Sequence, residues 1–122
     1  MKKISKLLVL VLCFCFLVGC SSKPNNVSEQ AYKVGSNAIK YIDQYLDGEI
    51  ALTEAKDKLS GMDKLITYKT NDYKSEVMRS RDMNISILIG SLHTQLLFPK
   101  VDTSKVLELR NKLADYLGVK EK

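Results

Sequence analysis

The chain has 122 residues, the length of one domain, and its 19 lysines and arginines against 14 carboxylates give a formal net charge of +5. Three of those cations, Lys2, Lys3 and Lys6, lie at the very start, and without them the net charge is only +2. So small an excess over about a hundred residues argues against nucleic-acid binding, which requires a basic stripe.

The first eighteen residues have the pattern of an export signal. A short basic segment, Met1 to Lys6, precedes twelve uncharged apolar residues from Leu7 to Val18. A helix of that length would measure about 18 Å, against about 30 Å for the hydrocarbon core of a bilayer. The segment therefore predicts a signal peptide rather than a transmembrane helix.

The motif Leu17-Val18-Gly19-Cys20, at the end of this segment, resembles the lipobox of bacterial lipoproteins. The resemblance covers only the first twenty residues. It implies that Cys20 receives a covalent diacylglycerol and that a signal peptidase cuts between Gly19 and Cys20. Residues 1–19 would then be a cleaved signal peptide, and the mature protein would be lipid-anchored on the extracytoplasmic side of the cell membrane. The alternatives are an N-terminal anchor helix or an ordinary signal peptide, although the usual Ala-x-Ala site is missing.

The same interpretation predicts what becomes of the three cysteines. Cys13 and Cys15 would leave with the signal peptide, and the sulfur of Cys20 would carry the lipid. We therefore expect no disulfide, thiolate metal site or cysteine nucleophile in the mature chain.

After the lipidated cysteine, the polar residues up to Asn26 predict a linker over 20–26, whose six residues beyond Cys20 would span at most about 20 Å. A helical domain is expected over 27–122. Its first helix is predicted over about 28–47, with Ser28 as N-cap and Gly48 beyond its end. The apolar stripe that indicates it has steps of three and four residues: Val27, Ala31, Val34, Ala38, Tyr41 and Tyr45.

The second helix is predicted over about 54–68, with Thr53 as N-cap. Gly61 lies inside it and would weaken it by about 1 kcal/mol relative to alanine.

The third helix is predicted from Tyr73 to Phe98, after a turn at residues 70–72 and before Pro99, which ends it. The alternation in residues 83–87 is also typical of a strand, but no second strand-like segment exists to pair with it.

The fourth helix is predicted to begin after a cap at Asp102 or Thr103 and to end before Gly118. Glu108 and Lys112 form a favourable pair one turn apart. Four helices joined by short connections predict an all-α fold, a small antiparallel up-and-down bundle.

No constellation in the sequence predicts catalysis, a metal or a cofactor. His93 is the only histidine, and neither an acidic partner nor further ligands accompany it. Asp43, Asp47 and Glu49 lack the spacing of a calcium loop. We therefore expect a protein that is not an enzyme, with His93 on the third helix at the boundary between core and surface.

Two groups of residues are candidates for a partner surface. Tyr32, Tyr41 and Tyr45 on the first helix either pack at the edge of the core or form a recognition surface. Arg79 and Arg81, with Lys69 and Lys74 nearby, form a basic stretch. Such a stretch suits anionic lipid headgroups or cell-wall polymers, or it is a solvated helix face.

The sequence thus predicts a lipid-anchored, non-enzymatic interaction module that binds a protein or an envelope component at the membrane. Two alternatives remain open: an immunity or exclusion lipoprotein acting against a phage, a conjugative element or a toxin, and a small-ligand carrier.

Overall fold

The computed structural model describes residues 23–68 and 73–122, in which every regular element is helical. A short 3-10 helix, Met62–Leu65, separates the second and third α-helices. The four α-helices are α1 (Glu29–Leu46), α2 (Leu52–Leu59), α3 (Glu76–Leu96) and α4 (Thr103–Leu117). The predicted small all-α bundle is confirmed, and in the described ranges no helix has the length and apolarity needed to cross a membrane. The predicted signal peptide and Cys20 lie outside those ranges.

Side-chain caps begin three of the helices. The Ser28 hydroxyl accepts a hydrogen bond from the amide of Ala31, and Asp102 accepts one from the amide of Lys105. Both residues were predicted caps, and at the fourth helix the structure selects Asp102 over Thr103. Each cap binds an amide that the first turn of a helix leaves unpaired.

The second helix is shorter than the predicted range of 54–68, because α2 ends at Leu59. Gly61 has a φ of +77°, the left-handed conformation that ends a helix, so it terminates α2 instead of weakening its interior. The predicted cap at Thr53 is also wrong. Ala51 occupies the N-cap position and makes no side-chain bond there.

The third helix begins at Glu76 and not at the predicted Tyr73, because Ser75 caps it through the amide of Met78. The helix runs without a break to Leu96, so the helical interpretation of residues 83–87 is confirmed. The predicted turn at residues 70–72 and Lys69 lie outside the described ranges.

The helices alternate in direction. Gly35 of α1 lies against Leu117 near the end of α4, while Asp43, two turns later in α1, bonds Arg110, which comes earlier in α4. The two helices therefore run antiparallel, as the up-and-down arrangement requires.

The beginnings of α1 and α3 and the end of α4 meet at one end of the bundle, named here the first pole. The amide of Ser28 donates to Asp82 Oδ1 at 3.1 Å, which joins α1 to α3. The ring of Pro24 lies beside Gly118, just after α4. The α1–α2 and α3–α4 connections form the opposite pole.

The described residues that precede α1, from Lys23 to Ser28, contact the folded domain. Val27 is completely buried, and its carbonyl oxygen accepts a hydrogen bond of 2.6 Å from Lys23 Nζ. Its amide donates to the carbonyl oxygen of Pro24. Lys23 and Pro24 of the predicted linker therefore pack on the first pole. In the sequence, Ser21 and Ser22 lie between Cys20 and Lys23.

At the other end of the chain, the residues after Gly118 turn back along the bundle. Arg110 Nη1 donates to the carbonyl oxygen of Lys120 at 2.8 Å, and Lys122 Nζ lies 2.7 Å from Asp47 Oδ1. The hydrogen bond that Lys122 donates to Asp47 raises the pKa of the Lys122 ammonium.

One apolar core joins all four α-helices and the 3-10 helix. Its largest fully buried apolar side chains are Val27, Ile42, Leu59, Ile85, Ile89, Leu92, Leu96, Val106, Leu113 and Leu117. Asp82 and Arg110 are the charged residues buried with them among the described residues.

Candidate interaction surface

The three tyrosines of α1 are half-buried and pack against the core. Tyr41 also faces two ammonium groups, with Lys58 Nζ 5.6 Å and Lys40 Nζ 5.9 Å from the ring centroid. These distances are near the limit of a cation–π contact. The aromatic bodies therefore contribute to packing, while part of each side chain faces solvent.

Helical geometry separates Tyr32 from the other two. Tyr41 and Tyr45 are one turn apart and share a side of α1, whereas Tyr32 precedes Tyr41 by nine residues. At 3.6 residues per turn, nine residues place two side chains on opposite sides of a helix. The structure thus brings two of the three predicted tyrosines together. Their role in binding a partner stays a prediction.

Arg79 holds the chain that follows the 3-10 helix against α3. Its Nε donates to the carbonyl oxygen of Tyr68 at 2.9 Å, and its Nη1 lies 3.0 Å from Glu76 Oε1. The Arg79 side chain is 28% exposed. Its guanidinium therefore has an internal structural role, although one edge faces solvent.

Arg81 lies on the other side of α3, over the ring of Tyr116 in α4. The guanidinium carbon is 4.9 Å from the ring centroid, within cation–π range. The Tyr116 hydroxyl accepts a hydrogen bond of 3.1 Å from Asn84 Nδ2. Arg81 Nε is buried without a hydrogen-bond partner. Arg79 and Arg81 therefore face different grooves and do not form one basic patch.

His93 lines an open recess of about 590 Å³ between the 3-10 helix and α3, together with Ser60, Asp63 and Thr94. The recess is open to solvent and has both polar and apolar lining, and His93 is half-buried. Residues 23–68 and 73–122 contain no group of three histidine, cysteine, aspartate or glutamate side chains placed to hold a metal ion.

A buried carboxylate was not anticipated as a structural centre. Asp82 is completely buried and accepts hydrogen bonds from the amide of Ser28 and, at 2.6 Å, from the Tyr73 hydroxyl. The same hydroxyl is 2.8 Å from the carbonyl oxygen of Thr67. A signal existed, because Asp82 precedes Ile85 and Ile89 by three and seven residues and so falls on the core stripe of α3.

Exposed apolar side chains occur at both poles. Leu65, Tyr68 and Val77 are 56%, 37% and 60% exposed and belong to segments at the first pole. Leu97 and Phe98, which follow α3 at the opposite pole, are 56% and 50% exposed. Neither group was predicted as a surface, because periodicity assigns Val77 and Phe98 to a helix without showing what covers them.

Comparisons of the chain with protein-family models, with curated proteins and with solved structures found no match.

Proposed function

We propose that this chain is a small membrane lipoprotein whose helical bundle acts as a non-enzymatic binding module on the extracytoplasmic face. The observation that carries the proposal is Leu17-Val18-Gly19-Cys20 at the end of an uncharged apolar segment. Lys23 contacts the folded domain through the carbonyl oxygen of Val27, and only two residues separate it from Cys20. An acylated Cys20 would therefore hold the domain close to the bilayer.

Tethering would be the mechanism of such a module. Confinement to a thin layer raises the effective concentration of a binder against other membrane components, so a weak contact becomes sufficient. The contact surface proposed for a partner is the apolar pair Leu97 and Phe98, because both are half exposed or more at the pole opposite Lys23. Aromatic side chains at such positions are typical anchors of protein interfaces.

Metabolic labelling with a radioactive or clickable fatty acid tests the anchor. Wild-type protein should incorporate the label, and Cys20→Ser should abolish it and leave an uncut precursor. Cys15→Ser is the matched control and should keep the label, because this thiol would leave with the signal peptide. Label in Cys20→Ser, or none in the wild type, would show that the assignment is wrong.

Photo-cross-linking in intact cells tests the binding surface. A photoreactive phenylalanine at position 98 should give a discrete protein adduct that Leu97→Glu removes. The same probe at the exposed position Lys40 is the control and should not give that adduct. The adduct should also disappear in Cys20→Ser. Equal adducts at both positions would contradict the proposed surface.

A further inference from the structure

The first pole presents an apolar rim. Val77, in the first turn of α3, is 60% exposed, and Leu65 is 56% exposed. The segment containing Leu65 and Tyr68 is fastened to this pole by Gln30, whose Nε2 donates to the Leu65 carbonyl oxygen at 2.6 Å, and by Arg79, which binds the Tyr68 carbonyl.

The rim includes apolar side chains on two sides of the beginning of α3. Val77 borders the groove that contains Arg81 and Tyr116, whereas Tyr68 borders the recess that contains Arg79. A partner that binds to one side of the bundle would not contact the apolar side chains on both sides of the beginning of α3. They suit a flat surface that meets the bundle end-on.

Cations accompany this rim. Residues 73–81 contain Lys74, Arg79 and Arg81 and a single carboxylate, that of Glu76, which is already paired with Arg79. Lys74 is exposed. Apolar side chains interspersed with lysine and arginine are the composition with which peripheral segments contact anionic bilayers.

The position of Lys23 indicates which surface would face the membrane. Lys23 lies at the first pole, and three extended residue steps from Cys20 to Lys23 span only about 10 Å. We propose, on the basis of the lipid anchor proposed above, that the first pole is a bilayer-contact face. Leu65, Tyr68 and Val77 enter the headgroup boundary, and Lys74 meets anionic headgroups.

The bundle then stands upright on the membrane. Because α3 has 21 residues, its two ends are about 30 Å apart at 1.5 Å per residue. Leu97 and Phe98 are therefore held well clear of the lipid, facing away from it.

The chain contains no tryptophan, so single-tryptophan variants report one position each. Full-length lipidated Val77→Trp and Phe98→Trp would be purified from membranes and reconstituted into phosphatidylcholine–phosphatidylglycerol vesicles containing brominated lipid. The tryptophan emission of Val77→Trp should lie at shorter wavelength than that of Phe98→Trp. The brominated lipid should quench it at least about twofold more. Tyr68→Trp is a second reporter, in case Val77→Trp disturbs the first turn of α3.

Lys74→Glu in the Val77→Trp background tests the charge. It should reduce the quenching in anionic vesicles, and Lys100→Glu, an exposed lysine at the opposite pole, should not. Undiminished quenching in Lys74→Glu would overturn the electrostatic part of the proposal.

Vesicle flotation separates the two proposals. If the protein floats with the vesicles but tryptophans at positions 77 and 98 are quenched equally, the bilayer-contact face is contradicted and the proposed lipid anchor is not. Wild-type protein that fails to float overturns the anchor, and the contact face with it. A response of Val77→Trp to soluble poly(glycerol phosphate) but not to the bilayer would identify an anionic wall polymer as the ligand and overturn the proposal.

Discussion

Arg110 of α4 holds Asp43 of α1 through two hydrogen bonds, from Nε at 2.8 Å and from Nη2 at 2.9 Å. The arginine side chain is only 6% exposed, and the aspartate is 27% exposed. Two parallel bonds between a guanidinium and a carboxylate fix the relative position of both groups. This pair therefore sets the register between the first and last helices.

Removal of the Asp43 charge should destabilise the bundle. Asp43→Asn leaves a buried guanidinium without its counter-ion, and we expect a loss of about 2 kcal/mol, below the value for a fully buried pair because Asp43 is partly exposed. In urea unfolding, the double variant Asp43→Asn/Arg110→Met should lose less than the sum of the single variants. Strictly additive losses would show that the two side chains do not act as a pair.

Removal of the Asp82 carboxylate should also destabilise the bundle, because this group joins α1 and α3 at the first pole. Asp82→Ala leaves the Ser28 amide and the Tyr73 hydroxyl without this acceptor, and we expect a loss of about 3 kcal/mol. Tyr73→Phe removes one of the two hydrogen bonds that Asp82 accepts, together with the contact between this hydroxyl and the Thr67 carbonyl oxygen, and should lose about 1 kcal/mol. Thermal unfolding followed by circular dichroism measures both. Equal losses in the two variants would contradict a carboxylate with two partners.

Two helical glycines should respond to alanine in opposite ways. A Cβ at Gly35 would lie 2.9 Å from Cδ1 of the fully buried Leu117, whereas a Cβ at Gly90 would come no closer than 3.5 Å to another residue. Gly90→Ala should gain up to about 1 kcal/mol from helix propensity. Gly35→Ala should lose about 1 kcal/mol, because overpacking exceeds that gain. Stabilisation by both changes in urea unfolding would refute the close α1–α4 contact.

Gly61→Ala distinguishes the observed end of α2 from the longer helix that the sequence predicts. Inside a helix, alanine would stabilise by about 1 kcal/mol. At a φ of +77° it should instead destabilise by about 1 kcal/mol, since a Cβ is unfavourable in the left-handed conformation. The effect of Gly61→Ala on the free energy of unfolding, measured in urea, therefore has opposite signs in the two arrangements. Beyond the two neighbouring residues, no atom of the described chain lies within 4 Å of the added Cβ, so a clash with another part of the fold would not cause the loss.

Glu108 should titrate below the usual glutamate range. Its pKa is lowered first by the hydrogen bond with Lys112, at 3.2 Å, and then by Lys105, at 3.4 Å. A folded-state pKa below the unfolded one stabilises the protein at neutral pH, and this contribution disappears as the pH falls through the folded pKa. Carboxylate chemical shifts followed by NMR should show Lys112→Met raising the Glu108 pKa more than Lys105→Met. The reverse order would contradict this ranking of the two contacts.

Local signals were enough to predict most of the helices. Ser28 and Asp102 bind amides three residues away, and Gly118 ends α4 in a left-handed conformation, so each acts within a single turn. Gly61 was misinterpreted because a helical glycine and a helix-ending glycine look alike in sequence. A distant contact accompanies the observed end, since the Ser86 hydroxyl donates to the Asp63 carbonyl just after Gly61.

The buried charges show why the candidate surface was harder to predict than the fold. Asp82 pairs with Ser28 across 54 positions, and Arg110 pairs with Asp43 across 67. Periodicity shows which side of a helix a residue occupies, but it does not show which side chain of another helix faces it. For the same reason the sequence places Arg79 and Arg81 in one basic stretch, and only tertiary packing shows that they face different grooves.

The return of the last residues along the bundle has a practical consequence. The Lys122 amide donates to Asn111, near the middle of α4, and its ammonium reaches Asp47 just after α1. A dye or fusion partner attached after Lys122 would therefore emerge from the side of the bundle and not from the first pole. Such a label would leave the first pole unobstructed. Energy transfer from it to a membrane dye would measure the height of the domain above the lipid directly.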